Sequence, residues 1–303
     1  MSAVVVVGPG RLGLSLAAAF ARSGAFREVV VFGRHARPPG HPVLEMPEVR
    51  YVFGVEPLPR DTAAVLLAVP DAAVPEITFA IAGLGRAPGG CAAFHLSGTL
   101  PTDVLEPLHR QGFGVGSFYP LVSVTDPLRG PARLAGSYVA VTAGPEVLRV
   151  AHGLGDALGA EIFAVPAVRR PLFHAAVTLT GSALPALLAH AGHILEQAGI
   201  DPDEGLAALV SLMRSVLDGV DSDGLRSALP GPLARGDVET TALHLRALDP
   251  EDQRRYAVFA REILRLGSVG PGQGASGEEA RGELEELLGR YVGRETTGAG
   301  AEH

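Results

Sequence analysis

Short apolar runs recur along the first half of the chain, with helix-like spacing between them. Ala3–Val7, Glu28–Phe32, Thr62–Val69, Cys91–Gly98, Phe113–Pro120, Ser137–Val141 and Glu161–Val165 each read as a strand, and Val49–Phe53 as a short one. Several lack polar alternation, as strands buried on both faces do. The segments after the first run, Ala72–Leu84, Pro101–Arg110 and Pro145–Leu158 read as helices. Strand and helix in alternation predict an α/β, Rossmann-type doubly wound, mostly parallel sheet. Beyond Pro166 only helical spacing remains: Pro171–Ala198, Pro202–Leu217, Asp237–Ala247, Glu251–Leu266 and Glu278–Val292. Pro185 cannot donate to the carbonyl of Gly181, so the first of these is expected to kink. The pattern therefore predicts a Rossmann-type domain over 1–166, an all-helical domain over 167–292 and a disordered tail over 293–303. The glycine-rich stretch 268–276 is expected to be mobile.

The first strand runs into Gly8-Pro9-Gly10-Arg11-Leu12-Gly13 and then an apolar helix. Between a strand and a helix, Gly-x-Gly-x-x-Gly is a dinucleotide fingerprint. Gly8 permits the tight turn, Gly10 lets the backbone approach a pyrophosphate, and Gly13 lets the helix pack closely. The helix start presents free N–H groups and a positive dipole end to phosphate. The alternative is an ordinary glycine-rich turn. An NAD-preferring unit carries an acid at the end of its second strand, to bond the ribose hydroxyl. Here that place reads Phe32-Gly33-Arg34-His35-Ala36-Arg37. Arg34 and Arg37 suit a 2′-phosphate, which predicts NADP, unless they are solvated loop cations.

Composition narrows the chemistry. The 303 residues are 47% hydrophobic and 19% charged, with net charge −8. No uninterrupted apolar run reaches the ~18 residues that cross a bilayer, and no basic segment precedes the first run, so a cytoplasmic protein without membrane or nucleic-acid partners is expected. The single Cys91 excludes an internal disulfide and a multi-cysteine metal site, and no metal is expected. All 25 basic residues are arginine. With no lysine, no Schiff base forms and no ammonium trades a proton; any cation in the site is Arg or His.

Candidate chemistry gathers at the carboxyl edge of the sheet, where open α/β sheets bind ligands. Val69, Pro70, His95, Ser97 and Tyr119 end strands there. Arg170 and His174 open the long helix, and Thr178 and Ser182 follow His174 at steps of four, on one slowly turning face. Each alone is as easily a packing residue; their convergence on one edge points to a site. A second constellation is Leu229–Leu245, where Asp237 can cap a helix with Thr240 at its third position and His244 on the same face. That segment reads equally as a capped helix start or as a loop lining the crevice.

Taken together, Gly8–Gly13, Leu67–Asp71, His95–Gly98, Gly116–Leu121, Phe173–Ala176 and Gly231–Asp237 with Thr240 and His244 resemble the family of Rossmann-like proteins with a DUF2520 domain. That family is related to pyrroline-5-carboxylate reductase, ketopantoate reductase and 6-phosphogluconate dehydrogenase. The resemblance implies an NADP-dependent oxidoreductase, with 167–292 a DUF2520-like substrate and dimerisation domain and the protein a homodimer through it. The chain departs from the family at Tyr119, where His is usual, at Arg170, where Lys is usual, at Phe173 in place of Tyr, and at Ser182 in place of Asn.

Two functions remain open. In one, NADPH delivers hydride to a small carbonyl or imine substrate. His174 or Tyr119 donates the proton, Arg170 holds a substrate carboxylate, and His95 and Ser97 position the carboxamide or substrate oxygen. In the other, the altered residues Tyr119, Arg170 and Ser182 mark a non-catalytic NADP-binding sensor or assembly protein.

Overall fold

The computed structural model describes residues 2–229, 231–267 and 275–292. The expectations for 268–274 and for the tail from 293 lie outside the described residues. The strands are β1 (Ser2–Val7), β2 (Phe26–Gly33), β3 (Val49–Phe53), β4 (Thr62–Leu67), β5 (Ala92–His95), β6 (Gly114–Pro120), β7 (Tyr138–Ala143) and β8 (Glu161–Ala164). They form one sheet in the order β3-β2-β1-β4-β5-β6-β7-β8. The chain winds outward from β1 in both directions, so the switch point falls between β1 and β4.

Helices α1 (Arg11–Ser23), α2 (Val74–Ala82), α3 (Glu106–Arg110), α4 (Gly130–Leu134) and α5 (Pro145–Leu158) cover the two faces. Alternation along β1 divides the core. Val4 and Val6 join Leu16, Leu134 and Leu154 on one face, while Val5 and Val7 join Val74, Ile81 and Leu108 on the other. Each fully buried valine contributes roughly 1.5–3 kcal/mol relative to an exposed one. A strand buried on both sides has no room for polar alternation, which is why the sequence shows none.

All strand pairs are parallel except β6 and β7, which are antiparallel. Their connection carries only the five-residue α4, which packs on α1, where a β-carbon on Gly130 would overlap the Ser15 side chain. Without a helix laid across the sheet, the chain returns in the opposite sense. The short helix α4 is not visible in the sequence pattern.

Beyond the sheet come α6 (Arg170–Gly181), α7 (Ala183–Gln197), α8 (Pro202–Asp223), α9 (Pro232–Arg235), α10 (Val238–Ala247), α11 (Pro250–Gly267) and α12 (Ala275–Val292). The expected interruption falls at Ser182, whose N–H donates to the Thr178 carbonyl at 2.9 Å; Pro185 is then tolerated in the first turn of α7. The stretch Ala167–Gln197 is long and apolar enough to cross a membrane by length and composition, with mean hydropathy 1.5 and none of the window buried. That differs from the expectation drawn from uninterrupted runs. Its polar residues are mostly uncharged Thr, Ser and His, which break the run without lowering the average far.

The chain forms two compact units, Met1–Ala183 and Leu184–His303; α6 belongs to the first. The second has its own core of Leu233, Leu245, Ala257, Ala260, Leu264, Leu284 and Leu288. No residue of α7 is buried and only Gly205 of α8 is.

Candidate active site

The turn after β1 is built as its glycines require. Gly8 has φ 101°, and a β-carbon there would lie 2.5 Å from the Ala68 carbonyl oxygen and 2.9 Å from Val69 Cγ1. Its N–H donates to the Phe32 carbonyl at 2.8 Å, while the Ala68 N–H donates to the Val7 carbonyl at 2.8 Å, pinning the turn between β2 and β4. A β-carbon on Gly13 would fall on the Gly8 carbonyl oxygen. Gly10 differs: nothing lies within 4 Å of the place its β-carbon would take. It caps α1 with no side-chain hydrogen bond, and among the described residues no hydrogen bond is made by the N–H groups of Arg11, Leu12 and Gly13. Pro9 is half-buried, Arg11 exposed and Leu12 half-buried beside them. A backbone cradle with no side chain in it and no partner for its N–H groups fits a pyrophosphate.

At the end of β2, Arg34 and Arg37 are exposed, and Arg34 Nε donates to His35 Nε2 at 3.1 Å. Tyr51 holds this loop: its hydroxyl donates to the His35 carbonyl at 2.6 Å, and its ring occupies the place a side chain on Gly33 would take. No carboxylate stands between Phe32 and Arg37.

Register assembles the rest. Val7 pairs with Leu67, Leu67 with His95, His95 with Ser117, and Ser117 with Thr142. Directly paired residues share a face, so the row changes from apolar to polar as it crosses from β4 to β5. Arg170, in the first turn of α6, reaches into this row. Its guanidinium donates to the Ser117 hydroxyl, to the Thr142 hydroxyl at 3.2 Å and to the Ser97 carbonyl at 2.7 Å. Burial holds its pKa below the ordinary arginine value. These bonds engage both terminal nitrogens, while the buried Nε has no partner among the described residues, so Arg170 ties α6 to the sheet. That is a different task from the substrate clamp expected of it: an interior guanidinium spent on the protein has little left for a ligand carboxylate.

His95 is fully buried, with both ring nitrogens unpartnered. Desolvation, then the Arg170 charge, depress its pKa to about 4, against a smaller opposing influence from Asp71. It is a neutral ring inside the protein, sealed from any ligand it was expected to position. Ser97 is buried and serves the backbone: its oxygen accepts from the N–H of Thr99 at 3.1 Å and of Leu100 at 3.0 Å. Its hydroxyl donates to Asp71 Oδ2 at 2.7 Å.

Tyr119 and His174 do come together. Their rings meet edge-on at 5.9 Å, and Phe173 meets Tyr119 at 6.4 Å. The His174 ring lies against Gly98, where a β-carbon would sit 2.6 Å from Nε2. Burial, then the Asp71 charge, raise the Tyr119 pKa, so the phenol keeps its proton and can donate it. Ser182 stays apart from this group. Eight residues beyond His174 on the same helix, it is about 12 Å along the axis at 1.5 Å per residue, exposed at the end of α6. Val69 touches the glycine turn, and Pro70 is exposed beside it.

Sequence reasoning gave Asp71 no role beyond ending the segment Leu67–Asp71, and it passed over Ser117 and Thr142. A signal existed: each of the last two is the one aliphatic hydroxyl in its strand.

In the second unit, Asp237 caps α10. Its Oδ1 accepts from the Thr240 N–H at 2.9 Å and its Oδ2 from the Thr240 hydroxyl at 2.7 Å, which lowers the Asp237 pKa. His244 Nδ1 meets the Tyr256 hydroxyl at 2.9 Å. The segment Gly231–Asp237 is a capped helix start, as one of its two readings held.

The fold and this edge define a Rossmann-type protein with a helical C-terminal region. Two family models match, the Rossmann-like domain over residues 2–118 and the domain of unknown function DUF2520 over residues 137–263. The chain belongs to the family that joins these two domains. No curated protein matches it. Among solved structures it resembles a Bacteroides fragilis protein provisionally assigned as an NADP oxidoreductase, at 22% identity and TM-score 0.65 over 86% of this chain and 97% of that one. It also resembles pyrroline carboxylate reductase from Plasmodium falciparum with NADP bound, at 11% identity and TM-score 0.62 over 93% and 98%. A third is the reductive aminase from Aspergillus terreus in complex with NADPH and ethyl-5-oxohexanoate, at 15% identity and TM-score 0.55 over 96% and 94%. At these identities the likeness is one of fold.

Proposed function

We propose that this protein is an NADP-dependent oxidoreductase that transfers hydride between NADPH and a small carbonyl or imine substrate in the cytoplasm. The observation that carries the reading is the empty cradle at Gly10, with bare helix N–H groups beside it. Gly8, Gly10 and the first turn of α1 would hold the pyrophosphate, with Arg34 and Arg37 on the 2′-phosphate and Val69 and Pro70 alongside. The cofactor, when bound, supplies the hydride. The protein's own contribution is orientation and a proton: Tyr119 is a protonated phenol in ring contact with His174, and either hydrogen can reach a substrate heteroatom at that edge. Arg170, bonded to Ser117, Thr142 and the Ser97 carbonyl, acts behind them, holding α6 and hence His174 in place. NADP-bound relatives of the same fold support the reading.

Calorimetry with NADPH and NADH tests it, followed by NADPH consumption across keto acids, aldehydes and cyclic imines. Binding of NADPH at least about tenfold tighter than NADH, with turnover on one class, is the expected result. Failure to bind either cofactor overturns it. Tight binding with no turnover on any class would favour the non-catalytic sensor.

The same reading includes a homodimer through the helical region. Leu206, Leu212 and Leu217 of α8 are 47%, 58% and 56% exposed, and a long helix with uncovered leucines gains its stability from packing. The acids Asp203, Glu204, Asp218, Asp221 and Asp223 on the same helix suit a protein partner better than lipid. A wild type that sediments as a dimer and a Leu212→Glu/Leu217→Glu variant that sediments as a monomer are expected; a monomeric wild type overturns the dimer.

A further inference from the structure

Asp71 follows the end of β4 and is exposed at the candidate site. Its Oδ2 accepts from the Ser97 hydroxyl at 2.7 Å and from the Thr99 hydroxyl at 3.4 Å. Ser97 is itself fixed by the two backbone N–H groups it accepts from, and it holds the Oδ2 of the carboxylate. Oδ1 has no protein partner among the described residues. The next residue after Ser97 is Gly98, on which the His174 ring rests. Asp71, His174 and Tyr119 are thus brought to one place by the span Ser97–Gly98.

The charges there do not cancel. The chain has no lysine. Arg170, the guanidinium bonded into this cluster, is buried behind the Ser97 carbonyl with both terminal nitrogens spent. His95 is neutral inside the protein, and Tyr119 carries its proton. No arginine or histidine among the described residues forms an ion pair with Asp71. What faces a ligand is one carboxylate with a free oxygen, a phenol and an imidazole.

We propose that Asp71 recognises a positively charged nitrogen, so that the group reduced is a protonated imine rather than a keto acid. The inference rests on the oxidoreductase reading above and narrows its substrate. A ketone needs a hydride at carbon and a separate proton at oxygen. An imine takes its proton on nitrogen first, from solvent or from Tyr119 or His174, and is a cation when the hydride arrives. Hydride from a reduced nicotinamide forms the new C–H bond, the C=N π pair becomes the nitrogen lone pair, and the products are a neutral amine and the oxidised nicotinamide. Asp71 gives up and takes up nothing; it neutralises the cation while it is bound. A keto acid would instead set its carboxylate against that of Asp71.

The test compares cyclohexylammonium with cyclohexanol, which differ chiefly in charge, by calorimetry on protein saturated with NADP. Cyclohexylammonium is expected to bind at least about tenfold tighter. Asp71→Asn should abolish that preference and leave NADP affinity unchanged, while Asp71→Glu keeps part of it. In the wild type, raising salt to ~0.5 M should weaken cyclohexylammonium and spare cyclohexanol, a readout that does not depend on a variant folding. Equal binding of the two probes, a preference that survives Asp71→Asn, or loss of NADP affinity in that variant would each overturn the proposal. Absence of NADP binding in the wild type would overturn the oxidoreductase reading with it, whereas equal probe binding on NADP-loaded protein overturns the substrate class alone.

Discussion

The ring of His174 occupies the space in front of Gly98 that any other residue's β-carbon would need, at 2.6 Å from Nε2. Gly98 is buried, and its φ lies outside the left-handed region that favours glycine, so the backbone itself accepts alanine. Gly98→Ala should therefore leave the fold within ~1 kcal/mol of wild type while turning the imidazole away. Turnover is expected to fall about ten- to a hundredfold, since small misplacements of a reacting group cost that much. Wild-type turnover in the variant would remove His174 from the chemistry.

Gly10 and Gly13 separate cofactor binding from folding. Gly10→Ala meets no protein atom, so its melting temperature should match wild type while NADPH affinity drops at least about tenfold. Gly13→Ala drives a β-carbon into the Gly8 carbonyl and should destabilise the protein by about 1–3 kcal/mol, read by chemical denaturation. Unchanged NADPH affinity in Gly10→Ala would place the cofactor elsewhere.

Arg170 is a test of what anchors α6. Arg170→Met removes the donors to the Ser97 carbonyl and to the Ser117 and Thr142 hydroxyls. The Ser117 hydroxyl keeps the Thr142 N–H and the Thr142 hydroxyl keeps the Val165 carbonyl, but the Ser97 carbonyl is left unpaired, which is expected to cost about 1–3 kcal/mol, with turnover lost along with the position of His174. A variant as stable as wild type would return the guanidinium to a substrate role.

His95 predicts a pH dependence of stability. Its folded pKa of about 4 lies below its ordinary value of 6.5, so between these values the unfolded chain binds the proton and the folded protein does not. Stability is whole above pH ~6.5 and declines as pH falls towards ~4, by roughly 3 kcal/mol in total from this residue. His95→Phe should flatten that part of the profile. Equal acid sensitivity in the variant would assign the decline to other groups.

How much of this was legible differs by element. The valines of β1 and the glycines after it announce their structure because their neighbours in sequence are their neighbours in space. The same holds for Asp237 and Thr240, three residues apart on α10. The reversal at β7 was hidden, since it follows from α4 settling on α1 rather than from any local signal. His95 and Ser117 read as polar residues in separate strands and Thr142 as the residue just past the end of a third; nothing in the order of the chain says they stand in one row.

From sequence alone came the alternation of strand and helix, the switch to helices after Pro166, the side-chain-free turn at Gly8–Gly13 and the absence of any lysine. These depend on short-range sterics, periodicity and composition, which need no partner to act. Only the tertiary structure decided that Arg170 is spent on the sheet, that His95 is sealed, and that Asp71 and His174 meet across Ser97 and Gly98. Those outcomes depend on strand register and burial, which bring together residues that the chain holds up to 103 positions apart.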